Sequence, residues 1–401
     1  MVSLSDIRTA VELIRGRVLH TPLVYSPTLS SLSGAEVYLK LETLQLAGSF
    51  KVRGAMAGIL GRKGTIGALG VITASAGNHA QGVAVAARET GIPATIVMPA
   101  WTSITKQEAA KGYGAEVIVQ GSSLEESLEA ARRLAAGGRT LIHPYDDPLV
   151  VAGQGTIGLE ILESLPDADT VIVPVGGGGL IAGIATAVKG IRPNIRVVGA
   201  QAAACPSAVA ALAAGKVVRV NAQKTIADGI RVQQIGESVF PVLQEKVDGV
   251  VLVGEEEIAL AMLLLLERKR VIAEGAGAVT LAALMNGQVP VRRSEKVVLI
   301  VSGGNVDSFL LERVMRYGLR RSGRILHITT RIEDTPGNLA RLLGVIASEG
   351  GNILQINHVR AEPGMPLQDI EVSIDIEVRG QPHGDELRKA LREQGYASIL
   401  S

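Results

Sequence analysis

The chain has 401 residues, 47% of them apolar, with 40 Lys and Arg set against 39 Asp and Glu, so two or three domains and a large core are expected. Near-balanced charge gives no reason to expect a polyanionic partner, and 2% aromatics is too few for the stacking platforms that bind single-stranded nucleic acid. A single cysteine, Cys205, excludes an intrachain disulfide and fits a reducing compartment. The apolar run 258–266 is too short to span a bilayer, and Asp6, Arg8 and Glu12 interrupt what would be a signal peptide. A cytoplasmic protein with no nucleic-acid or membrane partner is expected.

The chain opens on a helix: Ser3 and Asp6 form a capping box, Ile7, Val11 and Ile14 share a face, and Gly16 ends it. "VYLKLE" (37–42) reads as a strand. Strands and helices then alternate to about residue 146, the strands being "GVITAS" (70–75), "ATIVMP" (94–99), "EVIVQG" (116–121) and "TLIHPY" (140–145). A second series runs through "TVIVPV" (170–175), "IRVVGAQ" (195–201), "DGVVLV" (248–253) and "KVVLIV" (296–301). Short β-branched runs alternating with helices predict parallel sheets with crossover helices, hence an α/β body of two parallel-sheet units. Topology rules assign the strand 37–42 to the second unit, making 50–146 an inserted smaller subdomain of a body spanning 1–315.

The pattern changes after an arginine-rich stretch, "ERVMRYGLRRSGR" (312–324), read as the solvated end of a helix plus a linker at 316–324. In residues 325–401, Leu339, Leu342, Leu343 and Ile346 make a helical face. Ile370, Val372, Ile374, Ile376 and Val378 alternate with polar residues, predicting a sheet with one solvated face. A further helix (385–394) and the strand "YASIL" complete β-α-β-β-α-β, the ferredoxin-like order of an α+β domain.

Three small-residue loops sit at predicted strand ends. Gly176, Gly177, Gly178 and Gly179 open a helix at Leu180, leaving bare N–H groups beside the positive end of its dipole; a tight turn needs only one or two glycines, so four favour a phosphate. Gly177, Gly179 and Ala182 match a dinucleotide fingerprint, but the acid required about twenty residues on is absent, since Gln201 stands there. "SAGNHAQG" (75–82) offers backbone amides around Ser75, Gly77, Asn78 and His79 for a carboxylate, or equally a plain helix cap by Asn78 or Ser75. "SGGN" (302–305) reads by itself as a turn, or as Ser302 facing a ligand. A cleft between two α/β units collects such loops. Lys51, between Phe50 and Val52, is either a surface charge or an amine held against that cleft, where pyridoxal phosphate is the natural partner for a lysine beside a phosphate site. The six histidines lack ligand spacing, so no metal site is expected.

"GSFKVRGA", "SAGNHAQGVA", "PVGGGGLIAG", "TIADGIRV", "EGAGA" and "SGGN" together resemble the serine/threonine dehydratase family of fold type II pyridoxal-phosphate enzymes, whose body is that of the tryptophan synthase β subunit. The likeness covers residues 5–315. It implies pyridoxal 5'-phosphate as cofactor, with Lys51 as its Schiff-base lysine and Phe50 beside the ring. It further implies Asn78 at the ring 3-hydroxyl, Gly176–Gly179 with Leu180 at the phosphate, and Ser302 at the ring nitrogen. Ser75, Gly77, Asn78 and His79 would hold a substrate carboxylate. The tail resembles a single ACT domain, an amino-acid-sensing module, which implies an effector such as isoleucine or valine near Asp334, Pro336, Gly337, Asn338 and Leu339, and a homodimer or homotetramer. The implied reaction is conversion of L-threonine to 2-oxobutanoate and ammonia, with L-serine as a second substrate. A serine-directed lyase or racemase and a non-catalytic amino-acid sensor are the alternatives. Ala47 replaces the usual threonine, Ala76 replaces the second serine of racemases, and Gln201 and Ser207 replace carboxylates of relatives that bind a divalent cation.

Overall fold

Two parallel sheets organise the first three-quarters of the chain in the computed structural model, which describes residues 1–360, 366–396 and 398–399. Residues Met1–Asp307 form one compact unit and residues 308–401 a second. In the first, β1 (Leu23–Tyr25) and β2 (Glu36–Leu41) are followed by β3 (Val71–Ala74), β4 (Ala94–Met98), β5 (Glu116–Val119) and β6 (Thr140–Leu141). Then come β7 (Thr170–Pro174), β8 (Arg196–Ala202), β9 (Gly249–Val253) and β10 (Lys296–Val301).

The smaller sheet has the order β5-β4-β3-β6 and is wholly parallel; the larger runs β1-β2-β10-β7-β8-β9. In the larger sheet β2 lies parallel to β10, Glu36 opposite Lys296, and only the short β1 is antiparallel. The chain thus leaves the large sheet after β2, builds the small one, and returns. Strands β3, β4 and β7 are buried at every position, the continuous apolar run expected where helices cover both faces.

The first helix, Leu4–Ile14, has the expected capping box, and it buries Ile7, Ala10 and Ile14 while Val11 is half-buried. β6 stops at Leu141 rather than running to residue 145. Pro144 has no N–H to give a ladder, and His143 Nδ1 accepts from Asp146 N at 2.9 Å, turning the chain out of the sheet.

The second unit holds β11 (Ile325–Glu333), β12 (Asn352–Arg360), β13 (Asp369–Glu377) and β14 (Ser398–Ile399) in the antiparallel order β12-β13-β11-β14. With helices Asn338–Ser348 and Gln381–Glu393 this is the ferredoxin-like arrangement. Its core joins Leu342, Ile346, Leu387 and Leu391 to the apolar alternation of β13. Of the expected last strand, Ser398 and Ile399 pair with Thr330 and Thr329, while Ala397 and Leu400 lie outside the described residues. Three further expectations change. The units divide after Asp307, not 315, and most of the supposed linker is helix, Ser308–Arg321. The polar face of β13 is not simply solvated either. Asp375 is buried on it and accepts from His327 Nδ1 at 2.6 Å and Arg320 Nη2 at 2.8 Å, with Arg316 at 3.4 Å. The arginine run supplies a buried carboxylate with partners.

One polar cluster inside the first unit fixes the helix Lys51–Leu60. Arg53, Lys40 and Glu42 are fully buried. Arg53 takes both oxygens of Glu42 at 2.8 Å and both of Glu160, and Lys40 Nζ joins Glu160 and the Thr21 carbonyl. Two cations face two anions, so the cluster is neutral. Removing one member strands its partners without water, at a cost of about 3–5 kcal/mol. Arg53→Ala is therefore expected to lower the denaturation midpoint of the first unit by that equivalent, whereas an unchanged midpoint in urea would show that the cluster carries no stability.

Candidate active site

The lysine loop and the loop after β10 are stitched together through their backbones. Phe50 N donates to Ser302 O at 3.1 Å and Gly304 N to Gly48 O at 3.0 Å, and Ser49 forms an isolated antiparallel bridge with Gly303. Ala47 (φ 60°) and Gly48 (φ 68°) are successive left-handed residues. The conformation costs a residue with a Cβ about 1–2 kcal/mol, and here it turns the chain into the helix that begins at Lys51.

Lys51 is half-buried. Its Nζ donates to the Pro144 carbonyl at 2.9 Å and lies 5.1 Å from the centre of the Phe50 ring. Burial pulls its pKa down to about 8, against the opposing pull of Glu274. That is the signature of an amine prepared to act as a nucleophile rather than as a surface charge.

Opposite stands the tetraglycine turn between β7 and the buried helix Gly179–Ile191. A Cβ on Gly177 would lie 2.2 Å from Cγ of Tyr145, and one on Gly179 2.7 Å from the Tyr145 carbonyl. The turn therefore needs glycine to let backbone approach this closely. The first-turn N–H groups have no intrahelical acceptor and form a cradle suited to phosphate.

A cleft partly open to solvent is lined by Phe50, Lys51, Asn78, Gly176–Gly179, Leu180 and Ser302. It unites the expected lysine, ring and phosphate residues. Ser302 Oγ donates to the Ala276 carbonyl at 3.4 Å. The helix after β3 starts at Asn78 with Gly77 as its cap residue and no side-chain cap, so neither Asn78 nor Ser75 caps it. Ser75 Oγ accepts from Gly77 N at 3.2 Å. Ser75, Gly77 and His79 are not among the residues lining the cleft. His79 Nε2 donates to the Ile142 carbonyl at 3.1 Å, and burial, with Lys51 nearby, lowers its pKa to about 3. It is neutral, and its Nδ1 is buried without a hydrogen-bond partner.

Asp334–Leu339 lies in the second unit and spans the turn after β11 and the first two residues of the helix Asn338–Ser348. Asp334 pairs with Arg360 at 3.0 Å, Gly337 is left-handed, and Asn338 Nδ2 donates to Glu333 O and Thr335 Oγ1.

Sequence reasoning gave no role to three cleft residues. Tyr145 stood in a predicted strand, and nothing in the sequence marks it. Gln154 comes from the helix Pro148–Ser164, whose fully buried glycines hide its period. Glu274 belongs to "EGAGA" and could have been noticed as an acid opening an apolar helix. It is 5% exposed and accepts from Asn78 Nδ2 at 2.6 Å. Burial, reinforced by Asp228, pushes its carboxyl up to about 7.

Residues 14–303 match the family model described as pyridoxal-phosphate dependent enzyme. Similar curated proteins include the L-threonine ammonia-lyases of Thermotoga maritima (44% identical) and Geobacter sulfurreducens (46% identical), each aligned over 99% of this chain and 98% of its own length. Among solved structures, maize serine racemase superposes with a TM-score of 0.75 at 37% identity, covering 80% of this chain and 98% of its own.

The raised Glu274 pKa has a sign that can be tested. Below the ordinary value of 4.5 the native and unfolded chains bind this proton equally. Between 4.5 and about 7 only the native chain holds it, so stability falls as pH rises through that window. Glu274→Gln is expected to flatten that slope in cofactor-free protein; denaturation midpoints measured across the window with equal slopes in both chains would refute the assignment.

Proposed function

Because the chain belongs to the pyridoxal-phosphate dependent enzymes, we propose that it deaminates L-threonine to 2-oxobutanoate and ammonia, with L-serine converted to pyruvate as a second substrate. The observation that carries this reading is the Lys51 amine, its pKa lowered to about 8, facing a tetraglycine cradle across one cleft. The likeness to two L-threonine ammonia-lyases along nearly the whole chain supports the substrate.

The residues present fit the cofactor. The glycine turn packs against Tyr145 more closely than a Cβ would allow, and it offers backbone dipoles to a phosphate. Asn78 and Ser302 offer polar groups to the two polar ring positions, and Phe50 an apolar flank. Bound there, pyridoxal phosphate supplies an electron-poor conjugated ring that takes up the electron pair of a broken Cα–H bond. Lys51 Nζ would hold the cofactor and, with its amine free, would accept the α-proton of a bound substrate. The substrate carboxylate docks at the start of the helix after β3, against Asn78, the one residue of the loop Ser75–His79 that lines the cleft. Water loss from Cβ and water addition on release of ammonia balance, so the net change is threonine to 2-oxobutanoate plus ammonia.

In the second unit, the loop Asp334–Leu339 binds an amino-acid effector such as isoleucine or valine, making this an ACT-type regulatory domain on a cytoplasmic homodimer or homotetramer. No helix among the described residues is long and apolar enough to cross a membrane.

The deciding experiment records the visible spectrum of the purified protein before and after L-threonine, with keto acid assayed in the same cuvette. A yellow band that shifts while 2-oxobutanoate accumulates is expected. Formation of D-amino acid without keto acid would instead favour racemisation, the activity named for the maize neighbour. Lys51→Ala is expected to lose the band and to lower turnover more than about a thousandfold, since it removes nucleophile and base together. Uptake of pyridoxal phosphate by cofactor-free protein should quicken as pH rises and level off above about 8, because only the neutral amine attacks the aldehyde. A rate independent of pH in stopped-flow absorbance would contradict the lowered lysine pKa.

A further inference from the structure

The second loop of the cleft ends in Asn305, whose side chain has no role so far. Its Nδ2 lies 2.7 Å from the Ala47 carbonyl oxygen and 2.8 Å from Asn78 Oδ1. The orientation of a side-chain amide follows from its partners. A backbone carbonyl only accepts, so the end of Asn305 facing Ala47 is its NH2 group. The second hydrogen of that NH2 points at Asn78, and the end of Asn78 receiving it is therefore its oxygen. The Asn78 NH2 is left on the other side, with one N–H donated to Glu274 Oε1 at 2.6 Å and the second available to the cleft. One backbone carbonyl thus fixes the polarity of two amides.

The turn that supplies this carbonyl is shaped around Asn305. Ala47 and Gly48 are the two left-handed residues, and a Cβ on Gly48 would come within 2.5 Å of Asn305 Oδ1. A strained backbone persists only where its surroundings over-determine it. Here the turn and the amide it wraps hold each other.

We propose that Asn305 is a positioning residue: by donating to both the Ala47 carbonyl and Asn78 Oδ1, it turns the Asn78 amide so that only N–H is offered to the cleft and to the cofactor's ring oxygen. A donor there favours the ionised form of that oxygen. Without Asn305, Asn78 is oriented by Glu274 alone, and a neutral Glu274 carboxyl can donate to an amide oxygen as well as accept from an N–H, so Asn78 can turn and present its own oxygen, which opposes ionisation. The proposal rests on the reading that Asn78 meets the ring oxygen, so its test has two parts.

The first part titrates the visible band of the full-length holoenzyme. Asn305→Ala is expected to raise the pH midpoint of the band by about one unit, the size of a hydrogen bond to a charged group. In an Asn78→Ala background the same substitution should add little. Glu274 and Lys51 also face this position and titrate, and the shared background cancels their contribution. An unmoved midpoint in Asn305→Ala, or an equal shift in both backgrounds, overturns the proposal. The second part follows exchange of the Asn78 side-chain N–H donated to Glu274 by NMR in asparagine-labelled full-length protein without cofactor. Slow exchange is expected in the parent chain and its loss in Asn305→Ala; retained slow exchange overturns the proposal. If Asn78→Ala alone leaves the band unmoved, the reading of Asn78 at the ring fails, and the NMR comparison decides the role of Asn305 by itself. Asn305→Ser serves both parts should the alanine variant not fold.

Discussion

The buried guanidinium of Arg53, two residues after Lys51, is the constraint on which the site depends. It ties the lysine helix to Glu42, just beyond β2, and to Glu160 on the helix Pro148–Ser164. Burying four charges earns little net stability, because desolvation offsets most of the attraction. What it gives is register: a helix held by a bidentate guanidinium cannot slide or rotate without stranding two carboxylates. Glycines complete the fastening. A Cβ on Gly153 would lie 2.7 Å from the Arg53 carbonyl, and Gly54 N donates to Gln154 Oε1 at 3.2 Å. The two helices cross at backbone distance, and Lys51 emerges from the cleft end of that crossing.

With one helix fixed, the remaining parts arrive as loops at the carboxyl ends of parallel strands: Ser75–Asn78 after β3, Gly176–Gly179 after β7 and Ser302–Asn305 after β10. The pairing of β2 with β10 sets the segment that leads to Lys51 beside the one that leads to Ser302 although about 260 residues separate them, as their register shows. This is how α/β folds gather a site from distant sequence. It also explains why backbone does much of the holding, since strand ends and helix starts leave N–H groups unpaired.

The strands were legible because buried parallel strands are short, continuous β-branched runs, and that signal needs no partner to be seen. The tetraglycine was legible because a plain turn needs only one or two glycines, whereas the loops of Asn78 and Ser302 read as well as a cap and a turn, and Lys51 as a surface charge, until their combination resembled one family. Other features had no local signal. The helix Pro148–Ser164 is buried nearly all round, which erases the amphipathic period that reveals a helix. Tyr145 is placed by a strand that stops early. The pairing of Arg320 with Asp375 joins residues 55 apart that the sequence presents as a solvated charge run and one more polar position in an alternating strand. Glu274 and Asn305 were visible as residues but not as partners of Asn78, because hydrogen-bond polarity belongs to three-dimensional neighbours.

The charges of the cleft complete the logic. Among its described lining residues Lys51 is the only cation and Glu274 the only carboxylate, and burial moves each toward its neutral form, the amine to about 8 and the acid to about 7. An arginine beside the glycine turn would hold a phosphate more strongly, but its fixed charge would also depress the lysine further and hold Glu274 ionised. A cradle of backbone dipoles avoids both effects. It binds through uncharged N–H groups that do not titrate, and leaves the lysine amine, at about 8, and the glutamic acid, at about 7, as the cleft's own acid and base.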